Sequence, residues 1–407
     1  MKKFSIPNLF KPVALASAIG AMLFSCQPTE DNLPLDASSE LAVVKFAAGD
    51  IIPGKYIVVL KPSGLNLRKS MGYEEVQSSM RKTTVSLLSK YRISEANLDH
   101  IFGNTIEGFS ISLSTDEAQA LANDPAVSYI EPDRMMGIAQ KGRPGGGGGS
   151  TGQTTPWGIT RVGGAVNYTG SKKAYILDSG IDLDHPDLNV NASAGFNAFT
   201  SGKDGRSLDD GNGHGTHVAG TIAAKNNSIG VIGVAAGAQV VPIKVLGATG
   251  SGSYSGVIAG INFVAATGNS GDVANMSLGG PYSQAVNDAV VAAASNGIKF
   301  ALAAGNESQN TNNVSPGSAN GTNVYTISAM NSSDSWASFS NFGNPPVDYC
   351  APGVSVQSTW KGGGYNTISG TSMATPHVAG ILLLGNISTN GTVKNDPDGN
   401  PDPIAIR

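Results

Sequence analysis

Apolar runs separated by glycine-rich loops dominate the second half of the chain. The runs at 174–177, 240–246, 273–278 and 299–304 predict buried strands. Segments of apolar character at 257–266 and 284–296 predict helices between those strands. Strands that alternate with helices and are apolar throughout are typical of a parallel sheet covered on both faces. The pattern therefore predicts an α/β domain over 156–407 with a mostly parallel central sheet.

The region 49–136 has a different pattern. Strands are predicted at 56–60, 108–113 and 127–132, and helices at 74–91 and 116–123, with Thr115 as the cap of the second helix. This order predicts a small α+β domain of the ferredoxin-like type, and no catalytic constellation lies within it. Residues 137–155 contain five consecutive glycines, so we predict an exposed, flexible linker there.

The first 26 residues have the parts of an export signal. Lys2, Lys3 and Lys11 supply positive charge, and the apolar run 13–24 is short for a bilayer span. The run ends in Leu23-Phe-Ser-Cys26, which resembles the lipobox of bacterial lipoproteins, where the cysteine is lipidated and becomes the new N-terminus. The alternative is a simple cleaved signal with an incidental cysteine. Residues 27–48 are polar and acidic and predict a tether.

Composition narrows the function classes. The chain has 407 residues, 14% of them charged, and a net charge of −4, so no basic surface for nucleic acid is expected. Its two cysteines are Cys26 and Cys350. Because Cys26 lies in the segment expected to be processed, we predict no intrachain disulfide and a buried, inert Cys350.

Three residues far apart in the sequence are candidates for chemistry. Asp178 ends a predicted strand, where open α/β sheets hold their ligands. His214 is flanked by glycines and opens a predicted helix, and Ser372 precedes the apolar helix that follows Pro376. At a helix N-terminus, free N–H groups and the helix dipole favour negative charge on a reacting group. The alternative for His214 and His217, a zinc pair, is disfavoured because their spacing is three residues and no acidic residue lies between them. We therefore expect His217 to pack behind the site.

The order Asp178, His214, Ser372 is that of subtilisin-type triads. Together with the segments Asp178-Ser-Gly, Gly-His214-Gly-Thr-His, Ala-Ala-Gly-Asn306 and Gly-Thr-Ser372-Met-Ala, it makes the region from residue 156 to residue 384 resemble the subtilisin-like serine proteases. Within them it resembles the proteinase K-like branch. The resemblance implies that His214 is the general base, Asp178 orients it, and Asn306 donates to the oxyanion with the Ser372 backbone N–H.

The resemblance also implies the substrate site. Two segments would pair with an extended peptide from either side, and three small residues would line a roomy, apolar specificity pocket for bulky apolar or aromatic side chains. The residues of the two segments are Gly250, Ser251, Gly252 and Tyr254, and Ser277, Leu278 and Gly279; those of the pocket are Ala303, Ala304 and Gly305.

Region 49–136 resembles the inhibitory propeptide of this family, which blocks the cleft until the chain cuts itself, here within 137–152. A lipid on Cys26 would leave with the propeptide, so both an anchored zymogen and a released enzyme agree with the sequence. The resemblance implies no cofactor for catalysis. It implies a structural calcium ion at Asp348 with the carbonyls of Thr322 and Val324. We expect a monomer whose partners are protein or peptide substrates, its own propeptide and, before processing, the membrane.

Two other functions compete with the endopeptidase. A surface lipoprotein could keep this fold only to bind peptides, but a binder does not need all four of Asp178, His214, Asn306 and Ser372. An esterase could use the same oxyanion site, and we expect that only as a side activity. After residue 384 the chain is short and polar, whereas many relatives continue with further helices, so the form of the C-terminal edge stays open.

Overall fold

The computed structural model describes residues 47–63, 71–139, 141–146 and 152–407, with the backbone alone for 141–146. The predicted signal, Cys26 and most of the predicted tether lie outside the described residues. Within the described residues, no helix combines the length and the apolar character that a membrane crossing requires.

The N-terminal domain is a four-stranded antiparallel sheet with two helices on one face. Its order, β4–β1–β3–β2, agrees with the predicted ferredoxin-like type. The elements are β1 (Ile51–Leu60), α1 (Tyr73–Lys90), β2 (Leu98–Phe102), β3 (Gly108–Ser112), α2 (Thr115–Ala122) and β4 (Val127–Ile138).

The cap of α2 differs from the prediction. Ser114, not Thr115, is the N-cap residue: its hydroxyl accepts the N–H of Glu117, whose carboxylate accepts the N–H of Ser114 in return. The sequence offers two adjacent hydroxyl residues, and the glutamate three positions after Ser114 decides between them by completing this reciprocal pair.

The C-terminal domain is built on a ten-stranded sheet. Its order is β21–β22–β18–β17–β15–β13–β7–β11–β8, with β9 beside β11, and the strand pairs are parallel except β21 with β22. The helices and strands from residue 141 onward are β5 (Lys141–Gly146), α3 (Trp157–Arg161), β6 (Val166–Asn167), β7 (Lys173–Asp178), β8 (Asn189–Val190), β9 (Phe196–Asn197), α4 (His214–Ala223), β10 (Ala235–Ala236), β11 (Gln239–Lys244), β12 (Ser251–Ser253), α5 (Tyr254–Thr267), β13 (Val273–Met276), β14 (Leu278–Pro281), α6 (Gln284–Ala294), β15 (Lys299–Ala303), β16 (Val314–Ser315), β17 (Val324–Met330), β18 (Val347–Pro352), β19 (Val356–Trp360), β20 (Gly364–Ser369), α7 (Thr371–Leu384), β21 (Ser388–Thr392) and β22 (Pro403–Ile406). Short 3-10 helices cover Glu95–Asn97, Ala192–Ala194, Asp204–Arg206 and Thr311–Asn313.

Side chains of each central strand alternate between two apolar layers. Tyr175 and Leu177 of β7 pack into the layer that holds α5 and α6, whereas Ala174 and Ile176 pack into the layer that holds α4 and α7. This two-residue period explains why the strand is apolar throughout. The doubly covered parallel sheet predicted from the sequence is therefore confirmed.

The same alternation joins the two domains. Val58 and Leu60 of β1 belong to the core of the N-terminal domain, whereas Ile57 and Val59 belong to the layer around α5 and α6. One face of the N-terminal sheet is thus covered by helices of the C-terminal domain. Separation would expose that apolar face to water, which is unfavourable.

The prediction of a flexible linker is wrong over part of its length, and the C-terminal edge, which the sequence left open, has a defined form. Residues 137–155 do not form a flexible linker throughout, because Gly137 and Ile138 belong to β4 and residues 141–146 form β5, paired with β20. The polar C-terminal tail also adds β21 and β22 to the central sheet. β5 and β21 lack strand composition, but neighbouring strand edges supply main-chain partners that sequence patterns do not record.

Candidate active site

The end of β4 leaves its own domain and lies between two strands of the other. Ser251–Ser253 of β12 pair with Met135–Gly137 on one edge, and Leu278 and Gly279 of β14 pair with Ile138 and Gly137 on the other. The N–H of Ile138 donates to Gly250 O at 3.0 Å, and that of Ala139 to Ser277 O at 3.3 Å. We call residues 135–139 the cleft strand. The two segments predicted to hold a substrate hold this strand.

Two of the three candidate catalytic residues are in direct contact, and the third contacts the end of the cleft strand. Asp178 is the last residue of β7, His214 the first residue of α4, and Ser372 the second residue of α7. His214 Nδ1 lies 2.9 Å from each carboxylate oxygen of Asp178, and all three side chains are fully buried. The N–H of Ser372 donates to the carbonyl oxygen of Ala139 at 3.2 Å.

The Ser372 hydroxyl is turned away from the histidine. Its Oγ donates to Ser277 O at 2.9 Å, and the Ser277 hydroxyl donates to Ser372 O, also at 2.9 Å. His214 Nε2 is buried, and none of the described residues offers it a hydrogen-bond partner. The imidazole nitrogen that would take the serine proton is therefore unoccupied.

Asn306 is held with its amide group oriented. Its Oδ1 accepts the backbone N–H of Thr371 at 2.9 Å and the Thr371 hydroxyl at 3.0 Å. Its Nδ2 is buried and lacks a partner within the described part of the chain. A buried donor without a partner is costly. A developing oxyanion would satisfy it, which is the arrangement of a preorganised oxyanion hole.

Two further histidines pack behind the site as neutral groups. His217 Nε2 lies 3.0 Å from Val356 O, and His377 Nδ1 lies 2.8 Å from Met373 O. Burial lowers the pKa of His217 to about 3 and that of His377 to about 4. Both stay uncharged at neutral pH and support α4 and α7.

The pocket beside Ala139 differs in part from the prediction. A cavity of about 390 Å³ is lined by Ala303 and Gly305 as expected, but also by the exposed carboxylate of Glu307. Glu307 Oε2 accepts the N–H of Asn306 at 2.9 Å and the Asn341 amide at 2.7 Å. The prediction of an apolar pocket is therefore wrong at its rim. The short side chains were recognised, but the residue after Asn306 was not considered.

Two other residues predicted to bind substrate form the walls behind this surface. Tyr254 is fully buried and its hydroxyl donates to Pro281 O at 2.7 Å. Ala304 is also fully buried, and its N–H donates to Ile327 O at 3.0 Å. Their effect on a substrate is therefore to fix the shape of the cleft rather than to offer exposed groups.

The residues predicted to hold calcium lie at the start of two adjacent strands. Val324 opens β17, Thr322 precedes it in a turn, and Asp348 lies at the start of β18, where its Oδ2 accepts the N–H of Thr326 at 2.8 Å. Burial raises the pKa of Asp348. Carboxylate and carbonyl oxygens are the ligands that calcium prefers, and a cation next to this carboxylate would offset the cost of its burial.

A second oxygen-rich set was missed in the sequence. The Gln153 Nε2 atom faces Lys225 O at 2.7 Å, and Asn227 Oδ1 and Val231 O at 3.2 Å each. The carboxylate of Asp187 borders the same loop and accepts from Asn227 Nδ2 at 2.7 Å and from the Val231 N–H at 3.2 Å. One amide nitrogen has two hydrogens for three acceptors, so it cannot satisfy all of them. With that amide turned over, the oxygens would converge on one point. No local motif links Gln153 to residues 225–231, so sequence spacing could not reveal the set.

The fold and this arrangement define a serine protease whose cleft is filled by its own N-terminal domain. The chain belongs to the subtilase family: the "Subtilase family" model matches residues 174–387, and the "Peptidase inhibitor I9" model matches residues 55–139.

Relatives extend over most of the chain. It is 40% identical to "Subtilisin-like serine protease AsES" of Sarocladium strictum over 75% of this chain and 82% of that protein. It is 41% identical to "Alkaline protease" of Shouchella clausii over 81% of this chain and 80% of that protein. The solved structure titled "Crystal structure of a cold adapted subtilisin-like serine proteinase" matches with a TM-score of 0.54 and 36% identity, covering 61% of this chain and 96% of that one. The chain is thus a subtilisin-like serine protease with an inhibitor domain, and the alternative of a non-catalytic peptide binder is not favoured.

Proposed function

We propose that this protease is a serine endopeptidase made as a self-cleaving zymogen, and that it cuts its own chain between Ala139 and Gln140. The observation that carries the proposal is the 3.2 Å contact between the Ala139 carbonyl oxygen and the Ser372 N–H. That carbonyl closes the cleft strand, which is bound on both edges as a substrate would be. The cut falls within the range 137–152 expected from the sequence.

The proposed reaction uses four residues. The Ser372 hydroxyl turns from Ser277 O toward His214 Nε2 and gives up its proton there as Oγ attacks the Ala139 carbonyl carbon. Asp178 holds Nδ1–H and stabilises the imidazolium. The oxyanion receives hydrogen bonds from the Ser372 N–H and from Asn306 Nδ2. His214 then protonates the Gln140 nitrogen as it leaves, and water releases the ester by the reverse sequence. A fluorophosphonate that labels wild-type mature enzyme and does not label Ser372→Ala tests this role for Ser372.

We also propose that the pocket accepts two kinds of side chain before the cut. Its volume suits long apolar or aromatic groups, as the resemblance implies. The Glu307 carboxylate at its rim adds acceptance of lysine and arginine, whose charged ends can reach an exposed acidic group while their stems lie along apolar walls.

Glu307→Gln separates these two preferences. The glutamine keeps an oxygen for the Asn306 and Asn341 donors, so kcat/KM for a peptide with phenylalanine before the cut should stay unchanged. For the matched lysine peptide we expect a two- to fivefold fall, about 0.4–1 kcal/mol and within the range of an exposed ion pair. An equal loss on both peptides would mean that Glu307 acts through Asn306 instead of through charge.

We propose structural calcium at the Asp348 set and at the Gln153 set. Each combines a carboxylate with carbonyl oxygens, the ligands that calcium prefers. When bound, the ion would supply positive charge that neutralises a partly buried carboxylate and links segments distant in sequence.

Chelator should lower the melting temperature of full-length Ser372→Ala protein, a background that prevents self-digestion. An ion present at 100 times its Kd contributes about 2.7 kcal/mol, which corresponds to roughly 3–5 °C for a chain of this length. Asp187→Asn and Asp348→Asn should each remove part of this sensitivity, and the exposed neighbour Asp184→Asn should keep all of it. If the melting temperature does not respond to chelator, structural calcium is ruled out.

We further propose export, with lipidation of Cys26 anchoring the zymogen to the bacterial envelope. The support is the basic and apolar N-terminus that ends in Leu23-Phe-Ser-Cys26. After cleavage at residue 139 the anchor leaves with the propeptide, so the mature enzyme is released as a monomer. The proteinase K-like branch is likewise proposed on the motifs given above.

A further inference from the structure

The cleft strand is held by a segment that precedes the inhibitor module. The family model of that module begins at residue 55. Residues 47–50, which we call the strap, lie before it and run beside the cleft strand. The Gly49 N–H donates to Met135 O at 2.7 Å, and the Met135 N–H donates to Asp50 O at 2.9 Å. Arg134 Nη1 also donates to Gly49 O at 3.0 Å.

The strap lies on the same edge of the cleft strand as β14. In a β-strand the main-chain groups of alternate residues point to opposite edges. Ile138 points to Gly250, next to β12, whereas Ala139 points to Ser277, next to β14. Met135 is four residues before Ala139 and therefore uses the Ala139 edge. Along that edge β14 supplies main-chain partners as far as Gly279, which lies opposite Gly137. The strap supplies the next two main-chain hydrogen bonds, at Met135.

The strap also reaches the specificity pocket. Ala48 lines the pocket together with Ile138 and Ala139. Gly49 has a φ of +93°, and a Cβ on it would lie 3.0 Å from Pro281 Cγ. The Asp50 carboxylate accepts the N–H of Ala47 at 2.6 Å and closes the turn. The strap is therefore a hydrogen-bonded turn that lies between Pro281 and the cleft strand.

We propose that the strap is an autoinhibitory clasp: it adds main-chain hydrogen bonds that no separate substrate receives, and so keeps the cleft strand seated before and after the chain is cut. This inference rests on the proposed zymogen. A substrate of identical sequence binds β12 and β14 but lacks the two bonds at Met135. Two such bonds correspond to roughly a tenfold difference in the lifetime of the seated strand.

Hydrogen exchange of full-length Ser372→Ala protein, read by mass spectrometry over residues 133–139, tests the clasp. Gly49→Val in this background forces a β-branched residue into a left-handed backbone beside Pro281. We expect exchange of that fragment to quicken about tenfold. Gly54→Val is the matched control, because Gly54 also has positive φ, +72°, but its nearest contact for a Cβ is Leu113 O at 3.5 Å. The control should leave the fragment unchanged.

A second, milder variant tests the clasp in case Gly49→Val does not fold. Asp50→Ala removes only the bond to Ala47 and should quicken exchange two- to fivefold, with the circular dichroism spectrum unchanged. Unchanged exchange in both strap variants, or equal acceleration in Gly54→Val, overturns the clasp. Hydrogen exchange needs no proteolysis, so it tests the clasp independently of the proposed activity. If wild type does not hydrolyse peptides, the proposed function is rejected, and the exchange result still decides on the clasp.

Discussion

Full-length Ser372→Ala protein should keep its N-terminal domain attached, whereas wild type should yield a chain of about 27 kDa that begins at Gln140. That mass is the share of 41.4 kDa that residues 140–407 make up in a chain of 407. The alanine has no oxygen to attack the Ala139 carbonyl, so kcat should fall on the order of 10⁶-fold, as for the corresponding serine of subtilisin. Intact-mass spectrometry of the two proteins measures both the cut and its position.

Ser369→Ala is the matched control for that experiment. Ser369 is the last residue of β20, three residues before Ser372, and its hydroxyl accepts the Ser355 N–H at 2.9 Å. This variant should mature like wild type. If Ser372→Ala matures as well, another protease performs the cut. If the wild-type cut falls elsewhere, the 3.2 Å contact at Ala139 does not mark the scissile bond.

Sequence periodicity was sufficient to predict the central sheet because each of its strands buries both faces. The run that ends at Asp178 is apolar at consecutive positions, and the structure explains this by two layers of helices. The strand end made Asp178 a candidate, since parallel strands direct their carboxyl ends to one edge. His214 and Ser372 were assigned from the chain order of the three residues together with the motifs around them.

Main-chain contacts between distant segments could not be predicted in this way. β5 and β21 are strands because β20 and β22 offer free edges, and their own sequences are rich in glycine or polar residues. The tail is further held by the buried Asp402, which accepts from the Ser328 hydroxyl, and burial raises the pKa of Asp402 to about 7. The strap depends on Met135 main-chain groups, which carry no sequence signal.

The rim of the specificity pocket could not be predicted from the sequence for a different reason. The resemblance implied Ala303 and Gly305, and both line the cavity. The charge on its rim comes from Glu307, which the motif does not include. Size could be inferred from the motif, but polarity required knowing which neighbouring side chains turn toward the cavity.

Asn306→Ala should lower kcat by about 10²–10³-fold with KM nearly unchanged, the effect of losing one oxyanion donor. The Nδ2 atom is buried and has no partner in the described chain, so its hydrogen bond forms only when negative charge develops. Asn306→Asp tests hydrogen-bond donation separately from side-chain size. The aspartate has the same size and still accepts from Thr371, but it presents an oxygen to the oxyanion, so kcat should fall at least as far as in Asn306→Ala. Thr371→Val removes one of the two hydrogen bonds to Asn306 Oδ1 and should lower kcat less than either Asn306 variant. Steady-state kinetics on a soluble peptide measures all three, and a fall in kcat below tenfold for both Asn306 variants would remove this residue from the oxyanion site.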